Sequence, residues 1–152
     1  MREFTQLKTE RESATACPGQ LILSYEQRQK SRLCAELADG EKIGVLLPHG
    51  KRLIPGAILV GSDGSEIEVA AAKEQVTTIT SSDHWQLIRA AYHLGNRHVP
   101  IEIGSGWLRY EPDHVLDEML IGLGFTPETE LAPFNPEAGA YASHGHHHHE
   151  HD

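Results

Sequence analysis

Cysteine is scarce in this chain. Cys17 and Cys34 are the two present in 152 residues, and they form no Cys-x-x-Cys pair. In a reducing cytosol such a pair reads as free thiols rather than a disulfide. Long apolar runs are also missing: no stretch reaches the ~18 residues that a membrane-crossing helix requires. The opening Met1-Arg2-Glu3-Phe4-Thr5 is polar and carries no apolar signal region, so a cytoplasmic location is expected. Basic charge is in deficit, with 13 Lys and Arg against 22 Asp and Glu and a formal net charge of −9 when His is neutral. Binding of nucleic acid needs a basic face that releases counterions, so that class is excluded. Motifs for covalent or hydrolytic chemistry are absent too. There is no Gly-x-Ser-x-Gly, no His-Glu-x-x-His and no Cys near a His in sequence, and a non-enzymatic role is expected.

Histidine is abundant, with 11 residues. Protonating them would cancel most of the negative charge, so the surface field should change strongly as pH falls through ~6.5. Six of them, His144, His146, His147, His148, His149 and His151, fall within the last nine residues, beside Glu150 and Asp152. Such a segment cannot pack a core. Imidazoles at this density suit nickel, copper and zinc, and the composition reads as metal-binding. A purification tag would be an unbroken run; this one is interrupted by Gly145, Glu150 and Asp152.

The fold class expected is α+β in three parts. Residues 1–73 read as a small all-β domain, a barrel or a sandwich. Asp39-Gly40 separates Arg32–Leu37 from Glu41–Leu47, a strong hairpin signal because both central turn positions favour positive φ. Gly61-Ser62-Asp63-Gly64-Ser65 lies between two further apolar runs and lacks the Gly-Lys-Ser/Thr ending of a phosphate loop. Residues 74–132 read strand–helix–strand–strand–helix–strand, the ferredoxin-like βαββαβ order. The first helix is placed at about 83–94, with an N-cap from Ser81-Ser82-Asp83 and a stop at Gly95. Gln86, Arg89 and His93 form its water-facing stripe, and the rest of its circumference is expected to be buried. Pro100 puts the next strand at a sheet edge, since proline cannot donate to a ladder. Residues 133–152, rich in Pro, Gly and Ala and then His, read as a flexible, disordered tether.

Two further histidines are candidates for metal ligation. His98 follows Gly95-Asn96-Arg97, on the strand face opposite Val99, Ile101 and Ile103. One imidazole is a weak site, but a homodimer axis would present two. His114 sits in the first turn of the second helix, where the helix N-terminus favours the neutral imidazole that a metal needs. His49, His84 and His93 read as surface residues.

The segment His93-Leu94-Gly95-Asn96-Arg97-His98-Val99-Pro100 resembles the signature of the UreE family of urease accessory nickel metallochaperones. The resemblance extends to Leu46-Leu47-Pro48-x-Gly50, to Arg109-Tyr110-x-x-Asp113-His114-Val115-Leu116-Asp117, and to Glu137-Ala138-Gly139-Ala140-Tyr141 with the His-rich end. It implies a homodimer in which His98 of both subunits binds Ni2+ at the interface, with His144, His146, His147, His148, His149 and His151 collecting the ion. Zn2+ and Cu2+ would bind as well. The implied partners are the urease accessory GTPase UreG and the complex of urease apoprotein with its accessory proteins, and the implied function is delivery of nickel to apo-urease. A general divalent-metal buffer or store is the alternative. Some relatives carry a second His two residues before His114; Pro112 stands there instead, which weakens a secondary site.

Overall fold

The computed structural model describes residues 1–9 and 19–139. The chain divides into two compact units, Met1–Ala72 and Lys73–Asp152.

The first unit contains β1 (Arg2–Lys8), β2 (Gly19–Leu23), a one-turn α1 (Tyr25–Arg28), β3 (Arg32–Glu36), β4 (Lys42–Leu46), β5 (Ile58–Gly61) and β6 (Glu66–Ala71). The strands form a single mixed sheet in the order β2-β6-β5-β1-β4-β3. The β3–β4 and β5–β6 hairpins lie where the turn signals put them. The first turn differs in kind from a two-residue turn. Gly40 has φ 91°, and Asp39 does not share a positive φ. The Leu37 and Glu41 backbones close a three-residue loop, with the Leu37 amide 2.8 Å from the Glu41 carbonyl, a geometry that needs glycine only at its last position. The parallel pairs β1–β4 and β2–β6 join distant segments. Phe4, Leu21, Leu23, Ile43, Val45, Leu47, Leu59, Ile67 and Val69, one alternate face of the strands, make the core together with Leu53. α1 was not foreseen from the sequence. Ser24 and Gln27 start it with a reciprocal capping box, which satisfies backbone donors at both positions.

The second unit runs β7 (Lys73–Thr80), α2 (His84–Asn96), β8 (Ile101–Gly104), β9 (Trp107–Tyr110), α3 (His114–Gly122) and β10 (Glu128–Pro133). Its sheet order is β10-β7-β9-β8 and every pair is antiparallel. This is the ferredoxin-like arrangement expected from the order of elements. β8 is an edge strand, and Pro100 immediately precedes it. Ile79, Leu108 and Tyr110 from the sheet meet Leu87, Ala90 and Leu94 from α2 and Leu116 and Leu120 from α3. The Tyr110 hydroxyl donates to Asp117 at 2.6 Å, tying the first turn of α3 to β9.

The expected burial of α2 is corrected. Only Leu87, Ala90 and Leu94 are fully buried on it, whereas Trp85, Ile88 and Tyr92 are 70%, 63% and 64% exposed. A helix lying on one face of a sheet covers a single stripe. The apolar residues of α2 wrap much more than one stripe, so the surplus faces outward.

Candidate metal centre

α2 starts where the Asp83 carboxylate accepts from the Trp85 amide at 3.0 Å. Its end departs from the sequence expectation. The helix continues through Gly95 and Asn96, and Arg97 is its C-cap. His98 then has φ 57°, the one positive φ at a non-glycine among the described residues. Its amide donates to the Gly95 carbonyl at 3.0 Å, the bond that closes a helix with a left-handed residue. Glycine is the default there, because a Cβ in the left-handed region costs about 1–2 kcal/mol. His98 therefore stands outside the strand alternation: its direction is set by a helix-ending turn, and its side chain is exposed.

That position also carries an electrostatic preference. The unpaired carbonyls of a helix C-terminus have partial negative charge and favour a cation. His114 is in the opposite situation, as the first residue of α3, exposed beside its N-cap. The Asp113 carboxylate accepts from the amides of Val115 and Leu116 at 2.8 and 3.2 Å, so it is committed to capping. A helix N-terminus disfavours a bound cation as much as an imidazolium.

The sheet register brings several candidate segments to one end of the unit. Ile101 lies opposite Tyr110, Tyr110 opposite Thr77, and Pro133 opposite Lys73. The turn holding His98, the start of α3 with His114, and the chain leaving β10 thus share that end. Among the described residues, no three His, Cys, Asp or Glu side chains form a ready metal cage. His84 and His49 are exposed. His93 sets its ring edge-on to Tyr92 with centroids 5.3 Å apart. Cys34 is exposed on β3 in the first unit. Cys17, Ala140, Tyr141 and the histidines at 144, 146, 147, 148, 149 and 151 lie outside the described residues.

The segment read as a tether is held at its beginning. Phe134 is 1% exposed. The Asn135 amide donates to Glu102 Oε1 at 3.0 Å, and the Glu137 amide donates to the Ile101 carbonyl at 2.7 Å. Arg109 reaches the Pro133 carbonyl at 3.3 Å and the Thr78 hydroxyl at 3.1 Å. The same guanidinium lies 3.7 Å from Glu102 and 3.6 Å from Glu130. These contacts were not foreseen. The only sequence signal for them was the polar side of β8, where Glu102 stands.

Two family models account for nearly the whole chain. One, UreE urease accessory protein, N-terminal domain, matches residues 5–72; the other, UreE urease accessory protein, C-terminal domain, matches residues 74–152. Among similar proteins, urease accessory protein UreE of Nitrosospira multiformis is 46% identical over 143 residues, spanning 94% of this chain and 81% of that protein. The namesake from Burkholderia lata is 53% identical over 132 residues, covering 87% of this chain and 63% of its own length. That of Proteus mirabilis is 45% identical over 151 residues, covering 93% and 91%. No helix among the described residues is long and apolar enough to cross a membrane. With both halves matched in order and relatives near half identity over most of its length, the chain belongs to the UreE urease accessory protein family.

Proposed function

We propose that this protein is a cytoplasmic nickel carrier, not an enzyme, that hands its ion to apo-urease while the urease active site is assembled. The observation that carries the proposal is His98: an exposed imidazole held in a left-handed helix-ending turn, where glycine would be the cheaper choice. Strain kept at one residue supports a functional role for its side chain. Nickel is the cargo, and His98 is its transfer ligand. One imidazole is too few for a stable site, so the remaining ligands come from a second subunit, from the terminal histidines or from water.

A homodimer supplies the second His98 by symmetry. The outward apolar stripe Trp85, Ile88 and Tyr92 runs along α2 toward the turn that bears His98, and it supports a self-associating face at that end. Neutral imidazoles exchange metal more readily than thiolates, which suits a carrier that must release its load. Copper and zinc bind the same donors, and copper binds such sites more tightly than nickel, so selectivity rests on supply and on the receiving proteins. Those are the GTPase UreG and the complex of urease apoprotein with its accessory proteins. The terminal imidazoles collect the ion, and His114 is at most an auxiliary ligand. Ligation requires deprotonated imidazole, so uptake weakens in acid.

The test compares nickel stoichiometry and urease activation for the full chain, His98→Ala and a truncation after Ser143. His98→Ala is expected to lose activation and truncation to reduce it. Normal activation by His98→Ala contradicts the proposal. A chain that binds nickel but recruits neither the GTPase nor urease apoprotein is a general metal buffer.

A further inference from the structure

In the first unit the β1–β4 ladder stops early. β1 pairs with β4 over Arg2–Phe4 only, whereas on its other side it pairs with β5 as far as Lys8. The β5 register shifts between Phe4 and Gln6, so Thr5 is an extra residue. Such a bulge bends the strand that carries it and disrupts the pairing nearby. β4 does not follow the bend. It stays with β3 through Leu46, and the Leu47 amide donates to the Ser31 carbonyl at 2.8 Å. Pro48 then turns the chain, with the Lys51 amide 3.2 Å from the Pro48 carbonyl. Two parallel strands thus separate. A cleft of about 300 Å³ opens, with Thr5–Lys8 on one lip and Leu47, Pro48 and Lys51 on the other.

The lining has a definite chemistry. Leu47 is buried, Leu7 is half-buried against the core, and Pro48 adds exposed apolar surface. Lys8 is engaged by Glu66 at 3.1 Å. Lys51 is exposed and makes no ion pair among the described residues, and Arg52 beside it is exposed too. In a chain of net charge −9 this lip is locally cationic. The main chain of β1 adds a third feature. Gln6 and Leu7 have a strand neighbour on the β5 side alone. A strand paired on one side is a template for another, and an extended peptide can join it through main-chain hydrogen bonds, with pockets choosing the side chains. We infer that this cleft takes an extended segment of a partner protein, added as a strand along Thr5–Leu7, with apolar side chains against Leu7, Leu47 and Pro48 and a carboxylate at Lys51. The volume is at the lower end for binding clefts, about 300–1,000 Å³, so a short stretch is read. No histidine takes part, and the site is independent of the nickel proposal.

The probe is a phage-displayed library of random octapeptides, selected on the full chain with a chelator present so that metal-bridged capture by histidine is removed. Enriched peptides are expected to alternate apolar residues and to carry Asp or Glu at one end. One of them is then titrated into the unaltered chain, Lys51→Glu and Thr5→Tyr. Lys51→Glu should weaken binding about fivefold, and a copy of the peptide with Lys in place of its acid should recover that factor on this variant. Thr5→Tyr, which fills the cleft from an exposed position, should lose binding. Thermal unfolding and nickel stoichiometry should be the same in all three chains. Bound peptide should protect amides within Thr5–Leu7 from hydrogen exchange, the mark of an added strand. Enriched peptides without an acid, or equal binding to Lys51→Glu, overturn the assigned occupant. Concentration-dependent self-association that Thr5→Tyr abolishes gives the cleft to a second copy of the chain and overturns the partner. If the bulge, Pro48 and Lys51 only guard the strand against pairing, no peptide is retained and no amide is protected, which overturns the cleft as a site.

Discussion

Both helices of the second unit end on a left-handed residue whose amide bonds to the carbonyl three positions back, but the residues differ. α3 closes on Gly124, at φ 101°, with the Gly124 amide on Ile121 and the Phe125 amide on Leu120, both at 2.9 Å. This is the double bond pattern that glycine makes easily. α2 closes on His98 at φ 57°. Nothing in folding requires histidine there, since α3 shows the cheaper solution on the same sheet. The difference separates what holds the unit together from what it presents. α3 is fastened by its buried leucines and the Tyr110–Asp117 bond. α2 is fastened by Leu87, Ala90 and Leu94, and presents Trp85, Ile88, Tyr92 and His98 outward.

The contrast is sharpest in the packing. Leu94 is fully buried at the last turn of α2, and Leu94→Ala is expected to destabilise the unit by about 3 kcal/mol. Ile88→Ala, on the exposed stripe, should change unfolding of the single chain little but weaken self-association. Urea denaturation of the two variants, with sedimentation of the second, checks this. Equal losses of stability would place both stripes in the core.

Exchanging the caps tests the comparison directly. The atom nearest to a Cβ at Gly124 would be Gln86 Nε2, at 3.9 Å, so there is room for a side chain and the penalty falls on the backbone. Gly124→His is expected to cost about 1–2 kcal/mol, read as a lower urea midpoint.

The fastening of α3 has a pH signature. Burial, followed by the bond to Asp117, raises the Tyr110 phenol above its ordinary value of 10.0. The neutral phenol is thus favoured in the folded chain, and its contribution is fully present below pH 10. Above that, the unfolded chain ionises first, and stability falls as pH climbs toward the folded value. Tyr110→Phe is expected to cost about 1–2 kcal/mol at neutral pH and to remove this part of the alkaline loss, measurable by denaturation at pH 7 and pH 11.

The order of elements was legible in the sequence because hairpin and helix signals are local. Asp39-Gly40, Asp83 and Pro100 each name a boundary through their own backbone chemistry. The parallel pairs β1–β4 and β2–β6 were not legible, since pairing between distant segments leaves no mark on either strand alone. His98 was legible as a candidate ligand, but its conformation was not: Gly95 looks like the helix stop, and the chain instead places histidine in the left-handed position three residues later. The course of the chain after β10 was hidden for a similar reason: Pro133 to Glu137 has the composition of a tether, and its partners Arg109, Glu102 and Ile101 are more than twenty positions away. On α2 the sequence shows how much apolar surface exists, not how little of it a single sheet face can cover.

The most direct measurement is His98→Gly, scored for stability and for urease activation on the same preparation. The substitution relieves the left-handed strain and removes the imidazole. The variant is expected to be about 1 kcal/mol more stable than the unaltered chain and no longer to activate urease. A variant that activates urease normally, or one that is less stable, would contradict the claim that His98 occupies a glycine position for the sake of its metal.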